Sequence, residues 1–137
     1  MRLLASLFAA LLVAGVSGCQ PARPPTNALR AAVVMTAEAV EVADQTCAKV
    51  GTERQDAALL TVCKDAYDVA RPALVAAQYY IDVGDEKGVE KSLCTGQKAL
   101  AATAQAVTAT GTKLPPIVTE AVNFAGSICG VLGAANA

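Results

Sequence analysis

The chain has 137 residues and a formal net charge of −1, and it contains no histidine and no tryptophan. The lack of histidine excludes Ser-His-Asp and Cys-His catalysis, His-ligated haem and nearly all zinc enzymes, so we expect no catalytic residues, metal or cofactor. The near-neutral charge and the scarce aromatic residues argue against nucleic-acid binding, which needs a basic surface or stacking platforms.

Residues 1–18 have the order of a secretory signal peptide. A short positive region at Met1 and Arg2 is followed by an apolar run from Leu3 to Val13 and then by small residues. The run is shorter than the roughly 20 apolar residues that span a bilayer. A charged, then apolar, then small order is typical of a cleaved leader.

The leader closes on VSGC, Val16 to Cys19, which resembles the lipobox of bacterial lipoproteins. The resemblance covers residues 1–20 and implies that Cys19 receives a diacylglycerol thioether, becomes the mature N-terminus and is acylated, as with palmitate, on its new amine. In proteobacterial lipoproteins an Asp after the cysteine resembles an inner-membrane retention signal. Gln20 therefore implies an outer-membrane location facing the periplasm. The alternative is an ordinary signal peptide with a chance cysteine, but VSG matches the usual A-x-A site poorly.

Residues 19–26 are expected to form the acylated cysteine and a flexible tether. The segment CQPARPPTN, at 19–27, holds three prolines and one charge, a composition that favours an extended, partly polyproline linker. The tether would lift the following domain, residues 27–137, off the membrane.

The domain is predicted to be all-α, a small up-down four-helix bundle. A first helix is expected over about 27–49, with Thr26 as its N-cap and Gly51 as its stop. Apolar steps of three and four place one stripe inward: Leu29, Val33, Thr36, Val40, Ala43, Cys47 and Val50.

A second helix is predicted to follow a capping box formed by Thr52 and Gln55. Pro72 removes a backbone hydrogen bond and clashes with the preceding turn, so a kink or a break is expected there. Tyr79 and Tyr80 are expected to finish this helix. Its predicted inward stripe is Leu59, Cys63, Ala66, Ala70, Ala73, Ala77 and Ile81.

A third helix is predicted over about 85–110 and is expected to end at Gly111. The LPP sequence at 114–116 then places Pro116 in the first turn of a fourth helix, where proline is tolerated. The third stripe is Val89, Leu93, Gly96, Leu100, Ala104 and Val107, and the fourth is Ile117, Ala121, Phe124, Ile128 and Leu132.

Four cysteines remain once Cys19 is assigned to the lipid, and an even number in an exported chain indicates two disulfides rather than free thiols. No C-x2-4-C pair is present to suggest a metal site. With a rise of about 1.5 Å per residue, Cys94 and Cys129 lie at almost the same height along an antiparallel hairpin, whereas the heights of Cys47 and Cys63 differ by roughly 5 to 10 Å. The cysteines of the rival Cys63–Cys94 bond differ in height by more. We therefore predict Cys47–Cys63 and Cys94–Cys129.

These features predict a non-enzymatic, lipid-anchored envelope protein that binds another protein or envelope component, with Tyr79 and Tyr80 as a candidate partner surface. Two alternatives remain open. The bundle would carry an apolar ligand such as a lipid between its helices, or it would be a phage- or plasmid-type exclusion lipoprotein that blocks a receptor. Carboxylate-only catalysis is set aside, because a small alanine-rich bundle rarely offers a cleft with opposed carboxylates. The sequence does not indicate the oligomeric state.

Overall fold

The structure, a computed structural model, describes residues 25–135, with side chains described up to residue 132. This part of the chain forms four α-helices and no strand: α1 (Asn27–Glu53), α2 (Ala57–Val83), α3 (Glu86–Thr108) and α4 (Pro116–Ala135). The predicted all-α class and four-helix bundle are therefore confirmed.

The start of α1 agrees with the prediction and its end does not. Thr26 is the N-cap, and its hydroxyl accepts a hydrogen bond from the Leu29 N–H at 3.2 Å. Gly51 does not stop the helix; it lies inside the last turn, buried beneath Leu60, whose side chain occupies the space a Cβ would need. The helix ends two residues later, and Gln55 turns the chain with a left-handed φ of 52°.

The predicted capping box of α2 is wrong, and of the kink or break predicted inside the helix, the break does not occur. The N-cap is Asp56 rather than the Thr52 and Gln55 capping box, and its carboxylate accepts from the Leu59 N–H at 3.0 Å. The helix continues through Pro72 and ends at Gly84, whose φ is 76°. Pro72 is exposed, so its ring lies on the solvent side of the helix.

The last two helices start and stop close to the predicted residues. Asp85 caps α3 by accepting a hydrogen bond from the Gly88 N–H at 3.1 Å. The chain leaves α3 through Gly111, with a left-handed φ of 83°, and Pro116 is the first residue of α4. Proline suits this position because the first N–H of a helix has no intrahelical partner.

Consecutive helices run antiparallel, as their side-chain contacts show. Disulfides join Cys47 to Cys63 between α1 and α2, with Cα atoms 6.3 Å apart, and Cys94 to Cys129 between α3 and α4, at 5.5 Å. These are the two pairings that the helix register predicts. Between α2 and α3 the approach is close at Gly96, where a Cβ would lie 3.0 Å from Leu74 Cγ.

The bundle is rhombic in cross-section. In the described part of the chain α1 packs against all three other helices, whereas α2 and α4 do not touch. The stripes predicted for α1 and α3 are buried throughout. The predicted α2 stripe is buried only in part, and it omitted the buried Leu74.

The predicted stripe of α4 is also rotated from the buried one. Val118, Ala121 and Ala125 are fully buried, whereas Ile117 and Phe124 only flank the core. A helix that contacts two neighbours buries a narrow face, and small side chains let the backbones approach there. The larger apolar residues of α4 consequently lie at the edges of that face.

Candidate functional site

The outward side of α2 carries a line of apolar side chains that no other helix covers. Val62, Val69, Tyr79 and Val83 are between 46% and 61% exposed, and together we call them the outer face of α2. The three valines and the half-buried Ala76 recur every seven residues, so they follow one side of the helix over about 32 Å. The face remains uncovered because the neighbouring helices pack on other sides of α2.

The two tyrosines predicted as a partner surface have different environments. Tyr79 is exposed, whereas Tyr80 is half-buried, with its ring against Gly88 where a Cβ would lie 2.6 Å from it. The rings meet edge to face, with centroids 5.5 Å apart. Tyr80 therefore helps to pack α2 on α3, and Tyr79 alone presents most of its ring to solvent. The valines that extend this surface lie off the inward stripe predicted for α2 and are spaced by multiples of seven residues in the sequence, but the predicted partner surface included only the tyrosines.

A second surface feature is an open groove of about 450 Å³ between the first half of α1 and the second half of α2. It begins where the helices are no longer held by the Cys47–Cys63 bond. Val34 and Val75 stand on its opposite lips, and both are more than half exposed. The rest of the lining is Val33, Ala37, Glu38, Val40, Glu41, Arg71, Leu74 and Gln78.

Charged groups border the groove at the level of Glu41. The Tyr67 hydroxyl donates to Glu41 Oε1 at 2.9 Å, and Arg71 Nη1 donates to the Tyr67 hydroxyl at 3.0 Å. The hydrogen bond to Glu41 raises the pKa of Tyr67. Burial, followed by the nearby charges of Glu41 and Asp68, raises the pKa of Asp44. This edge of the α1–α2 pair is therefore acidic, with one arginine held in place by a tyrosine.

The interior of the bundle has little free space at the same level. The gap enclosed by α1, α2 and α3 beside Val40, Cys63 and Leu100 is about 10 Å³. A single water needs at least that volume, so this gap could not hold a lipid. An apolar ligand between the helices, one of the functions left open by the sequence, would therefore need a different location.

The acidic residues before α3 have structural contacts. Asp82 accepts a hydrogen bond from Gln78 at 3.2 Å, and Asp85 caps α3. Burial, then the charge of Glu86, raises the pKa of Glu90. Among the described residues, no group of three or more His, Cys, Asp or Glu side chains is arranged to hold a metal ion.

Cys19 lies outside the described residues, as do the predicted signal peptide and most of the tether. The lipidation prediction consequently stays a prediction from the VSGC motif. Within residues 25–135, no helix is both long enough and apolar enough to span a membrane.

Comparison with protein-family models, with curated proteins and with solved structures found no significant match to this chain.

Proposed function

We propose that this protein is a non-enzymatic lipoprotein of the outer membrane, facing the periplasm, and that it binds another envelope protein through the outer face of α2. The observation that carries the proposal is the line of exposed valines on that helix. Apolar residues scattered singly on a surface need no explanation, but their alignment along one side of a helix favours an interaction site.

The spacing of these valines favours a helical partner. Side chains that recur every seven residues along one helix form a seam against which a second helix packs, with β-branched residues well suited to one of the two seam positions. Val62, Val69 and Val83 have this spacing, and Tyr79 lies beside them. An amphipathic helix of the partner would cover the seam and remove its valines from water, which stabilises the complex.

The anchor would set the position of this surface relative to the membrane. Cys19 lies seven residues before Thr26, so a fully extended tether reaches about 25 Å. Because α1 and α2 are antiparallel, the start of α1 and the end of α2 lie at the same end of the bundle. Tyr79 and Val83 would therefore lie near the bilayer, where a membrane-anchored partner is accessible.

Site-specific photo-crosslinking in living cells tests the proposed surface. A photoreactive residue in place of Val69 should give a discrete adduct with one envelope protein, and Val62→Glu should remove that adduct by placing a charge in the apolar seam. Lys64 lies on the same helix and is also exposed, but it faces another direction and serves as the matched control. An equal adduct from position 64, or none from position 69, would contradict the proposed binding surface.

The groove between α1 and α2 supports a second candidate, an apolar-ligand carrier. Its volume of about 450 Å³ and its aliphatic lining fall within the usual range of small-molecule sites. Mass spectrometry of the protein purified without its own lipid tests this function. A co-purifying lipid that Val75→Glu displaces would favour the carrier, and a clean protein would count against it.

A further inference from the structure

We propose that the groove between α1 and α2 is the interface of a parallel homodimer, in which two copies pack these surfaces face to face about a two-fold axis along the bundle. This proposal goes beyond binding through the outer face of α2. It concerns another surface and assigns that surface one occupant, a second copy of the chain.

The shape of the surface suits a copy of itself. Val34 and Val75 project from the two lips with 54% and 64% of their surfaces exposed, while the floor between them is formed by the buried Val33, Val40 and Leu74. An interface related by a two-fold axis uses the same patch on both subunits. Here the valine lips of one copy would meet the valine lips of the other, and the two recesses would be closed off from water between them.

The level of each residue along the bundle axis determines which residues of the two copies would meet. The hydrogen bond from Tyr67 to Glu41 shows that the middle of α1 and the middle of α2 lie at one level. A two-fold axis parallel to the helices brings α1 of one copy opposite α2 of the other at unchanged height. Val34 of one copy would then lie near Val75 of the second copy.

Charge selects this arrangement over the antiparallel one. The α1 lip carries Glu38 and Glu41, and the α2 lip carries Arg71. With the axis along the bundle, each acidic lip faces the arginine of the other copy. With the axis across the bundle, α1 would face α1 and the glutamates would oppose each other. Charges of one sign placed opposite each other suppress the wrong arrangement of an interface.

The parallel arrangement is also compatible with two anchors in one membrane. It places the first residue of α1 at the same end in both copies, so both tethers would leave towards one bilayer. This single step relies on the proposed lipidation of Cys19, whereas the shape and charge arguments do not.

The experiment uses the full-length protein in cells that express two differently tagged copies. A photoreactive residue at Gln78, on the α2 lip, should give an adduct that contains both tags. The same residue at Val69, on the outer face of α2, is the matched control and should not. Val75→Glu should abolish the two-tag adduct because it buries a charge from each copy, and Val69→Glu should leave it unchanged.

A charge exchange tests the orientation. Glu38→Arg alone and Arg71→Glu alone, carried by both tagged copies, should each lower the adduct yield about thirtyfold, because the two-fold interface contains this ion pair twice and each exposed pair contributes about 1 kcal/mol. The double variant Glu38→Arg with Arg71→Glu should restore the yield, because each lip then faces its opposite charge again. Thermal melts followed by circular dichroism identify any variant that fails to fold.

Three outcomes would overturn the dimer. They are an adduct at Gln78 that contains a different protein, an adduct that contains only lipid, and a double variant that melts normally without recovering the yield. None of them bears on the outer face of α2, since that surface is tested from position 69. Failure of the dimer and failure of the proposed function are therefore distinguishable.

Discussion

The side chain of Thr36 lowers the stability of the folded state. It is fully buried in α1, and its hydroxyl has no hydrogen-bond partner among the described residues. Thr103 in α3 is buried as well, but its hydroxyl donates to the Ala99 carbonyl at 3.3 Å. An unpaired buried hydroxyl costs about 1 to 3 kcal/mol, whereas a paired one contributes modestly to stability.

Replacing Thr36 with Val should therefore raise the free energy of unfolding by about 1 kcal/mol. The substitution keeps the branched shape and removes the unpaired hydroxyl. Urea denaturation of the purified protein measures the change. Thr103→Val is the matched control and should bring no gain, because it removes a hydrogen bond that is made. Equal stabilisation by both variants would show that the pairing of the hydroxyl is irrelevant.

Asp44 gives the stability a predictable dependence on pH. Burial first, and then Glu41 and Asp68, raise the pKa of its carboxyl above the ordinary value of 3.8. The folded state therefore holds this proton more tightly than the unfolded chain. By linkage, the contribution of Asp44 to stability falls as pH rises from 3.8 through the raised pKa, and it recovers on acidification.

Asp44→Asn should accordingly stabilise the protein at pH 7, and the gain should disappear below pH 3.8, where Asp44 is neutral in both states. Denaturant titrations of both proteins across this range give the difference directly. In about 1 M salt, where the screening length is about 3 Å, most of the gain should remain, because burial is the larger cause. A gain that is independent of pH would refute the assignment to ionisation.

At the scale of the element, α2 shows how tertiary contacts override a local signal. Proline in a helix interior costs about 3 kcal/mol, which is why a kink or a break is expected at Pro72. The helix has fifteen residues before Pro72 and eleven after it, and both parts bury side chains against α1 and α3. Keeping one continuous helix lets both parts pack, and this gain exceeds the cost of one lost hydrogen bond.

The two disulfides should contribute unequally to stability. They close chain segments with sequence separations of 16 and 35 residues. Loop-closure entropy then gives about 3 kcal/mol for the Cys47–Cys63 bond and nearly 4 kcal/mol for the Cys94–Cys129 bond. The double variant Cys94→Ser with Cys129→Ser should consequently melt at a lower temperature than Cys47→Ser with Cys63→Ser.

Scanning calorimetry of the two double variants and of the wild-type protein under oxidising conditions measures this order. The reduced wild-type protein is the control, and it should be less stable than either variant because it lacks both bonds. The reverse order of the two variants would mean that the packing around Cys47, which is fully buried, outweighs the entropy of the longer loop.

At the scale of the whole molecule, the proposed lipid anchor at Cys19 would decide where the bundle works. Cys19→Ser should remove the lipid, so the protein should no longer incorporate labelled palmitate and should no longer sediment with membranes. Two acyl chains hold a protein stably, since each buried methylene contributes about 0.8 kcal/mol. The double variant Cys47→Ser with Cys63→Ser is the control, and it should still incorporate labelled palmitate and still sediment with membranes.

A density gradient then locates the wild-type protein. Gln20 predicts recovery with outer-membrane markers, and recovery with inner-membrane markers would show that the sorting rule does not apply to this protein. Incorporation of label into the Cys19→Ser variant would instead refute the prediction that Cys19 is lipidated.

Several features could be predicted without the structure: the helical class, the number of helices, the N-cap at Thr26, the position of Pro116 and the two disulfide pairings. Each depends on short-range rules: helical periodicity, capping chemistry, and the level of a cysteine along a helix of known rise. The inward stripes of α1 and α3 belong to the same group, because a helix that touches three neighbours buries a wide face that periodicity locates easily.

The degree to which each outward apolar residue is covered depends on the packing of the other helices. The helices α2 and α4 lie at the far corners of the rhombus and contact two neighbours each, so their buried faces are narrow and depend on how the bundle is packed. Val69 and Val75 lie off the inward stripe predicted for α2, so helical periodicity already separates them from the buried Val33. Whether an outward valine lies on an open face or at the edge of a groove follows from the positions of the neighbouring helices, and this could not be predicted from the sequence.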